Sequence, residues 1–359
     1  MAQDIVLTAP RLKAAIEAIV AKGGSVPREA DLVAGNLVMA NLTGHDSHGV
    51  GMIPRYVDSL LEGGLAVNEH PAVLFDTGVL LRLDGRHGYG QVIGEEAIGL
   101  AVDRARAHGV CAMTLANAHH LGRIGHFAEI AVAAGLVSIH FVNVTSLPRV
   151  APWGGSDARF GTNPCCIGVP LAGAPPLLLD FATSAIAQGK IRVAHNKRQR
   201  LSAGRLLDDK GKPTTDPRYA VIPPLGAMLP FGEHKGYGLA VACELLGGAL
   251  TGGGTWHSPA SGQRRVWNSM LTVMIDPQKL GTGEVFEREA REFIAWVRKS
   301  PPGEGFDKVR LAGEPEREMR AKRERDGIPV DATTWQEILA AGAKLGLAAE
   351  SIERLARGA

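Results

Sequence analysis

Val79-Leu80-Leu81-Arg82-Leu83-Asp84, followed by Gly88-Tyr89-Gly90-Gln91-Val92-Ile93-Gly94, decides the fold of this chain. It reads as strand, glycine turn and helix. A doubly wound dinucleotide-binding fold presents its phosphate loop in that order, with the pyrophosphate on the helix N-terminus. Two features oppose that assignment. The glycine spacing is GxGxxxG, longer than the GxGxxG fingerprint. The fingerprint also needs an acidic residue about 20 positions on, to hold a ribose. Here the following strand, residues 110–116, runs into Asn117-Ala118-His119, with no acid. A Rossmann sheet is therefore not expected.

That second strand leads into Asn117-Ala118-His119-His120-Leu121-Gly122-Arg123-Ile124-Gly125-His126. A matching cluster precedes it, Gly44-His45-Asp46-Ser47-His48-Gly49. Helical periodicity stops there, so the cluster is placed on a turn after a helix, where glycine adopts unusual backbone angles freely. Histidine titrates near neutrality, which suits proton transfer, and it also ligates metals. A zinc hydrolase built on His45, Asp46, His48, His119 and His120 is the rival reading from another class. It lacks HEXXH and any defined ligand geometry, and no metal is expected.

Further out, Asp180-Phe181-Ala182-Thr183-Ser184 sets a carboxylate and two hydroxyls at a strand-to-helix junction. Free amides at such a helix start can take phosphate or hydroxyl groups, and Thr183 or Ser184 can equally serve as N-cap. Gly232-Glu233-His234-Lys235-Gly236-Tyr237-Gly238 likewise opens a helix, over residues 235–250, that is apolar nearly all round and expected to be buried.

The chain as a whole alternates between helical ends and a mixed centre. Helices are expected over residues 11–21, from an N-cap at Ser25 to Leu42, and over 54–61, 91–107 and 126–134. Strands are expected over 79–84, 110–116, 136–144, 177–180 and 270–275, and further helices over 284–299, 314–325, 331–345 and 348–355. Residues 195–224, rich in Lys, Arg, Asp and Pro, read as an exposed loop. The fold class expected is α+β. A mixed-sheet cofactor domain of non-Rossmann type, residues 76–276, is enclosed by a discontinuous helical domain, residues 1–75 and 277–359.

Composition narrows the class. The 359 residues carry 39 basic and 37 acidic side chains, a net charge of +2, which gives no electrostatic case for nucleic acid. Apolar runs fall far short of the ~20 residues that span a bilayer, so no membrane association is expected. The four cysteines, Cys111, Cys165, Cys166 and Cys243, form no CxxC pair and read as buried free thiols. No signal peptide is apparent at the N-terminus, and a cytoplasmic location is expected.

Six motifs in order carry a resemblance. GHDSHGVGMIPRY (44–56), NAHHLGRIGHFAEIA (117–131), RFGTNPCC (159–166), LLLDFATSAIAQGKIRVA (177–194), EHKGYGLA (233–240), and LAGEPE (311–316) followed by GIPVDATTWQEI (327–338) resemble the malate/L-lactate dehydrogenase family of non-Rossmann type. The resemblance runs from about residue 10 to 350. It implies a homodimeric oxidoreductase that moves a hydride between NAD, or NADP, and a small 2-hydroxy/2-oxo acid. A cyclic-imine or keto-sugar-acid reductase is the alternative within the family. By the same resemblance His48 lies at the nicotinamide end and acts as acid/base, and His120 is the second candidate for proton transfer. Gly122, Arg123, Ile124, Leu178, Leu179, Asp180, Phe181, Ala182, His234, Gly313, Glu314, Pro315 and Glu316, with His48, would contact the cofactor. Many members read SHGxxR, with the Arg suited to a substrate carboxylate. This chain has Met52 at that position, so Arg55 and Arg123 are the candidates for the carboxylate. Glu314 and Glu316 would accept from ribose hydroxyls and favour NADH over NADPH.

Overall fold

The computed structural model describes residues 4–257 and 266–358. The chain opens with β1 (Ile5–Leu7), α1 (Ala9–Lys22) and α2 (Pro27–Leu42). Two 3₁₀ turns, Asp46–His48 and Val50–Met52, then lead into α3 (Ile53–Leu61). Pro27 occupies the first turn of α2, where its missing N–H costs nothing. Ser25 is not the N-cap expected for it. Val26 holds that position without a side-chain cap, and the Ser25 hydroxyl donates instead to Glu29 Oε1 at 2.7 Å.

The centre runs β2 (Ala72–Asp76), β3 (Leu80–Asp84), α4 (Gly90–His108), β4 (Val110–His119), α5 (Gly125–Ala133), β5 (Val137–Thr145), β6 (Cys165–Val169) and β7 (Leu177–Phe181). It continues with α6 (Gln188–Asn196), β8 (Leu206–Leu207), β9 (Pro213–Thr214), β10 (Ala227–Met228), α7 (His234–Cys243) and β11 (Trp267–Ile275). Seven strands form the main sheet in the order β2-β3-β4-β11-β5-β6-β7. Only β3 and β4, joined through α4, pair in parallel in it; the other neighbours are antiparallel. A doubly wound sheet needs successive parallel crossovers. The late strand β11 sits instead between β4 and β5, so the architecture is α+β and non-Rossmann, as expected.

The glycines of the opening stretch serve packing. A side chain at Gly90 would begin 2.3 Å from the His120 carbonyl oxygen and 2.4 Å from that of His119. One at Gly94 would begin 2.4 Å from the Phe127 ring. They press α4 onto the end of β4 and onto α5, and leave no space for a pyrophosphate.

The chain closes with α8 (Gly283–Arg298), α9 (Glu314–Asp326), β12 (Ile328–Val330), α10 (Ala332–Lys344) and α11 (Ala349–Arg357). β12 pairs with β1. One apolar core joins Leu12, Ile16, Leu37 and Tyr56 near the start of the chain to Trp335, Ile338 and Ile352 near its end. A second core lies between the sheet and α4 and α5, around Ile93, Ile98, Met113 and Phe127.

Two expectations are corrected here. Residues 195–224 are not a loop alone: β8, β9 and β10 form a small sheet of their own, and Leu201, Leu206 and Ala220 share a third core with Ile191, Phe160 and Met228. Short strands of two residues leave no readable period. The helix from 235 is not buried all round. Gly236, Ala240, Cys243, Gly247 and Gly248 face inward, and Val241, Leu245 and Leu250 stand exposed. A side chain at Gly247 would begin 2.8 Å from the Phe141 carbonyl oxygen, so small residues let the helix lie on β5 and turn its large ones outward. Among the described residues no helix is long and apolar enough to cross a membrane, and the four thiols are buried and free.

His140, buried within β5, bridges Thr272 Oγ1 (2.9 Å) and Ser138 Oγ (3.0 Å). Burial lowers its pKa to about 3, against an ordinary 6.5. The unfolded chain therefore binds the proton that the folded one refuses, and stability is lost as pH falls from 6.5 toward 3. A plot of Tm against pH should slope down toward acid over this range, and His140→Gln should flatten it. An unchanged slope in the variant would remove His140 as a cause.

Candidate active site

A cleft of about 920 Å³ opens between the loop after α2, the ends of β4 and β7, α6 and α9. The loop after α2 is held by three side chains. Asn41 donates to Asp46 Oδ1 (2.6 Å) and accepts from the Val50 N–H (2.8 Å). Arg323 on α9 grips the Asp46 carboxylate with both guanidinium nitrogens, at 2.6 and 2.9 Å. His45 Nε2 meets Glu316 Oε1 at 3.3 Å. A side chain at Gly49 would begin 2.2 Å from Asn41 Oδ1, so the loop closes only with glycine there. His48 is thereby set in the cleft wall, with its Nδ1 2.9 Å from the Ser47 hydroxyl.

His120 comes to the same place from β4. Its ring stacks on His48, with centroids 5.5 Å apart and planes 10° from parallel. Tyr56 of α3 closes the other side, its hydroxyl 2.8 Å from His120 Nδ1 and 2.7 Å from Gln91 Nε2. Burial, with the charges of His45 and Arg123, lowers the His48 pKa to about 4. Burial and its neighbours His48 and His119 push His120 well below its ordinary value. Both rings are neutral at physiological pH. His119, also fully buried, has no hydrogen-bond partner for either ring nitrogen among the described residues and packs edge-on against Tyr56. His126 sits apart, paired with Glu95 at 3.2 Å.

Gly122, Arg123, Ile124, Asp180, Phe181, Ala182, Pro315 and Glu316 line the cleft together with His48. Gly122 has φ +77°, which favours glycine. Arg123 is buried and donates to Glu129 Oε2 at 2.6 Å. Asp180 accepts from the Gly125 N–H at the start of α5 (2.7 Å). Burial pushes its carboxyl up, against the pull of His45, that N–H and Arg123. His45 holds the Glu316 carboxyl below the usual range.

The other residues expected at the site, His120 and Gly313 among them, stand outside the cleft lining, and His120 reaches it only through its stacking on His48. Leu178 and Leu179 lie on β7, with the Leu178 N–H bonded to the carbonyl of Ala312, beside Gly313. Glu314 turns away to pair with Arg298 and accepts from the Leu311 N–H (3.1 Å). His234 is exposed and packs on Trp153. Arg55, on α3, is near enough to His119 and Arg149 for its charge to act on both. Thr183 and Ser184 are not caps. Thr183 donates to the carbonyls of Thr162 and Asn163, Ser184 to that of Ile186, and the helix begins only at Gln188.

That helix, α6, supplies the residues the sequence reading missed. Lys190 and Val193, at i and i+3 on one face of α6, line the cleft together with Lys197 just past the helix end, and Arg192 stands beside them. A side chain at Gly51 would begin 2.9 Å from Arg192 Nη2, so this guanidinium lies against the residue before Met52. Neither lysine has an ion-pair partner among the described residues. The spacing was readable as a helical face; its docking on a loop 140 residues earlier was not. Among the described residues no group of three or more His, Cys, Asp or Glu side chains is arranged to hold a metal.

The family model described as malate/L-lactate dehydrogenase matches residues 7–339. The chain is 45% identical over 348 residues to hydroxycarboxylate dehydrogenase B of Escherichia coli, covering 96% of each. It is 38% identical to an L-lactate dehydrogenase of Cupriavidus necator, over 86% of this chain and 89% of that one. The solved structure of sulfolactate dehydrogenase from Methanocaldococcus jannaschii superposes with a TM-score of 0.84 at 33% identity, covering 96% of this chain and 99% of that chain.

The docking of α6 gives a direct test. A side chain at Gly189 would begin 2.4 Å from Ser47 Cβ and 2.8 Å from Ser47 Cα, beside His48. Gly189→Ala should force α6 and the loop apart, at a cost of about 1–3 kcal/mol. A lower Tm together with lower turnover is expected. A variant with wild-type Tm and turnover would show that this contact does not set the loop.

Proposed function

The chain belongs to the malate/L-lactate dehydrogenase family, whose members include a hydroxycarboxylate dehydrogenase and an L-lactate dehydrogenase, and on that premise we propose that it is an oxidoreductase moving a hydride between a nicotinamide dinucleotide and C2 of a small 2-hydroxy/2-oxo acid. The observation that carries the proposal is the stacked pair His48 and His120, both neutral, beside a cleft large enough for a dinucleotide.

The residues present fit such a cofactor. The cleft is long, its wall at Gly122 is free of a side chain, and two carboxylates, Asp180 and Glu316, face it as acceptors for ribose hydroxyls. Lys190 and Lys197 offer cations to phosphates. When bound, the nicotinamide supplies or takes up the hydride at its C4. The protein's share is to orient, to exclude water and to manage one proton at the C2 oxygen. In the oxidative direction neutral His48 accepts that proton; in the reductive direction its imidazolium returns it. Arg123, whose charge reaches the His48 ring, and Arg192, which lies against Gly51, are the cleft cations placed for the substrate carboxylate.

His48→Ala should lower kcat by roughly 10²–10⁴, the usual contribution of a general acid/base, when 2-oxo acids are screened by loss of NADH absorbance. For hydroxy-acid oxidation the base must be unprotonated. The kcat/KM should therefore hold level from neutrality downward and fall as pH drops through about 4. Near-native turnover in the variant would remove His48 from the chemistry.

NADH is the proposed cofactor over NADPH, with Glu316 as the selecting residue, a reading supported by Glu316 lining the cleft where Glu314 does not. A 2′-phosphate beside its carboxylate would be repelled. Glu316→Gln should raise kcat/KM for NADPH relative to NADH by about tenfold, while Glu314→Gln leaves the ratio unchanged. An unchanged ratio in Glu316→Gln would assign cofactor choice elsewhere.

A further inference from the structure

We infer that Tyr56 and Gln91 lock His120 as its Nε2–H tautomer, making it a standing hydrogen-bond donor to the substrate's C2 oxygen that neither gains nor loses a proton. The inference rests on the reading of His48 and His120 as the pair that faces the substrate.

Three buried groups in a row, Gln91, Tyr56 and His120, fix the direction of their protons. Gln91 Nε2 lies 2.7 Å from the Tyr56 hydroxyl, and Gln91 and Tyr56 are each 1% exposed. A phenol has one proton to give and can accept another bond at oxygen. With the amide donating to the oxygen, the phenol proton points at His120 Nδ1, 2.8 Å away. That direction also matches intrinsic chemistry, since the phenol is the stronger acid and a neutral imidazole nitrogen the stronger base. His120 Nδ1 is then an acceptor, and the single ring proton must sit on Nε2. The Tyr56 ring is fixed by edge contacts to Tyr89 and His119, so the hydroxyl has little freedom to turn away.

Charging His120 is opposed from every side. The ring is 8% exposed, stacked on His48 from the loop after α2, flanked by His119 at the end of β4, and faced by the neutral Tyr56 of α3. A neutral imidazole whose Nδ1 is already bonded has no lone pair left to act as a base. It can stabilise charge that develops on the C2 oxygen, as a pre-aimed donor does in an oxyanion hole. The travelling proton is left to His48. Tyr56 and Gln91 never touch the substrate and act as positioning residues.

Two measurements test the assignment. The first is the ring-nitrogen NMR spectrum of protein labelled with ¹⁵N in histidine, with His120 assigned by its absence from a His120→Gln spectrum. A protonated Nε2 and a bare Nδ1 are expected at all pH values where the enzyme is active; a protonated Nδ1 or a charged ring would overturn the inference. Tyr56→Phe should disturb these signals and lower kcat about five- to tenfold with KM little changed, the size of one neutral hydrogen bond. Loss of activity with undisturbed ring signals would refute a positioning role. The second measurement compares two substitutions with NADH and a 2-oxo acid. His120→Gln keeps an N–H donor that cannot titrate and should stay within about tenfold of wild type, whereas His120→Ala should fall about 10²–10³-fold. Equal losses in both would make His120 an acid/base instead. Full activity in His120→Ala would sink the underlying reading of His120 as a site residue, an outcome separate from the tautomer that the spectra report.

Discussion

The approach of Gly90 to the carbonyl oxygens of His119 and His120 governs the centre of the molecule. Any side chain at this position would collide with backbone, which cannot turn aside as a flexible side chain can. The first turn of α4 is therefore clamped to the end of β4. The same turn carries Gln91, whose amide reaches the Tyr56 hydroxyl, which in turn reaches His120. One close contact thus fixes a strand end, a helix start and the ring that stacks on His48. It also fills the place where a Rossmann enzyme holds its pyrophosphate. A glycine turn that looks like a phosphate loop is used here to bring histidines to a cleft formed elsewhere.

The charges around that cleft are divided between structure and ligand. Arg323 is tied to Asp46, and Arg205 donates to the Ala185 carbonyl. Burying such a cation without a partner is costly, so each pairing has a structural reason. Lys190 on α6 and Lys197 just past its end differ, since they line the cleft with no acidic partner among the described residues. The histidines follow the opposite rule. Burial keeps His48 and His120 uncharged, so the cleft is cationic at Lys190 and Lys197 and neutral beside the two rings.

Much of this was legible in the chain itself. Pro27 and Gly109 mark helix boundaries through backbone preferences that act locally. The failed spacing at Gly88–Gly94 and the missing acid after the second strand excluded the Rossmann sheet. The two histidine clusters were visible as clusters, and the structure brings His48 and His120 together from them. What could not be read depends on long-range contact. Whether Glu314 or Glu316 faces the cleft is decided by Arg298, and the role of Arg192 by a glycine far earlier in the chain. Ser25, Thr183 and Ser184 carry the right chemistry for caps, yet each finds a partner elsewhere. Residues 195–224 hide their core positions because strands of two residues carry no period.

The grip of Arg323 on Asp46 joins positions 277 residues apart, and it has a bearing on how the chain is made. The loop that bears His48 leaves the ribosome well before the arginine that holds it is translated. At about 5–20 residues per second, the loop waits roughly 15–55 s for its anchor. The core it rests on is also unfinished until Trp335 and Ile352 arrive. A nascent chain therefore carries both histidine clusters without a formed cleft until α9, α10 and α11 have been made.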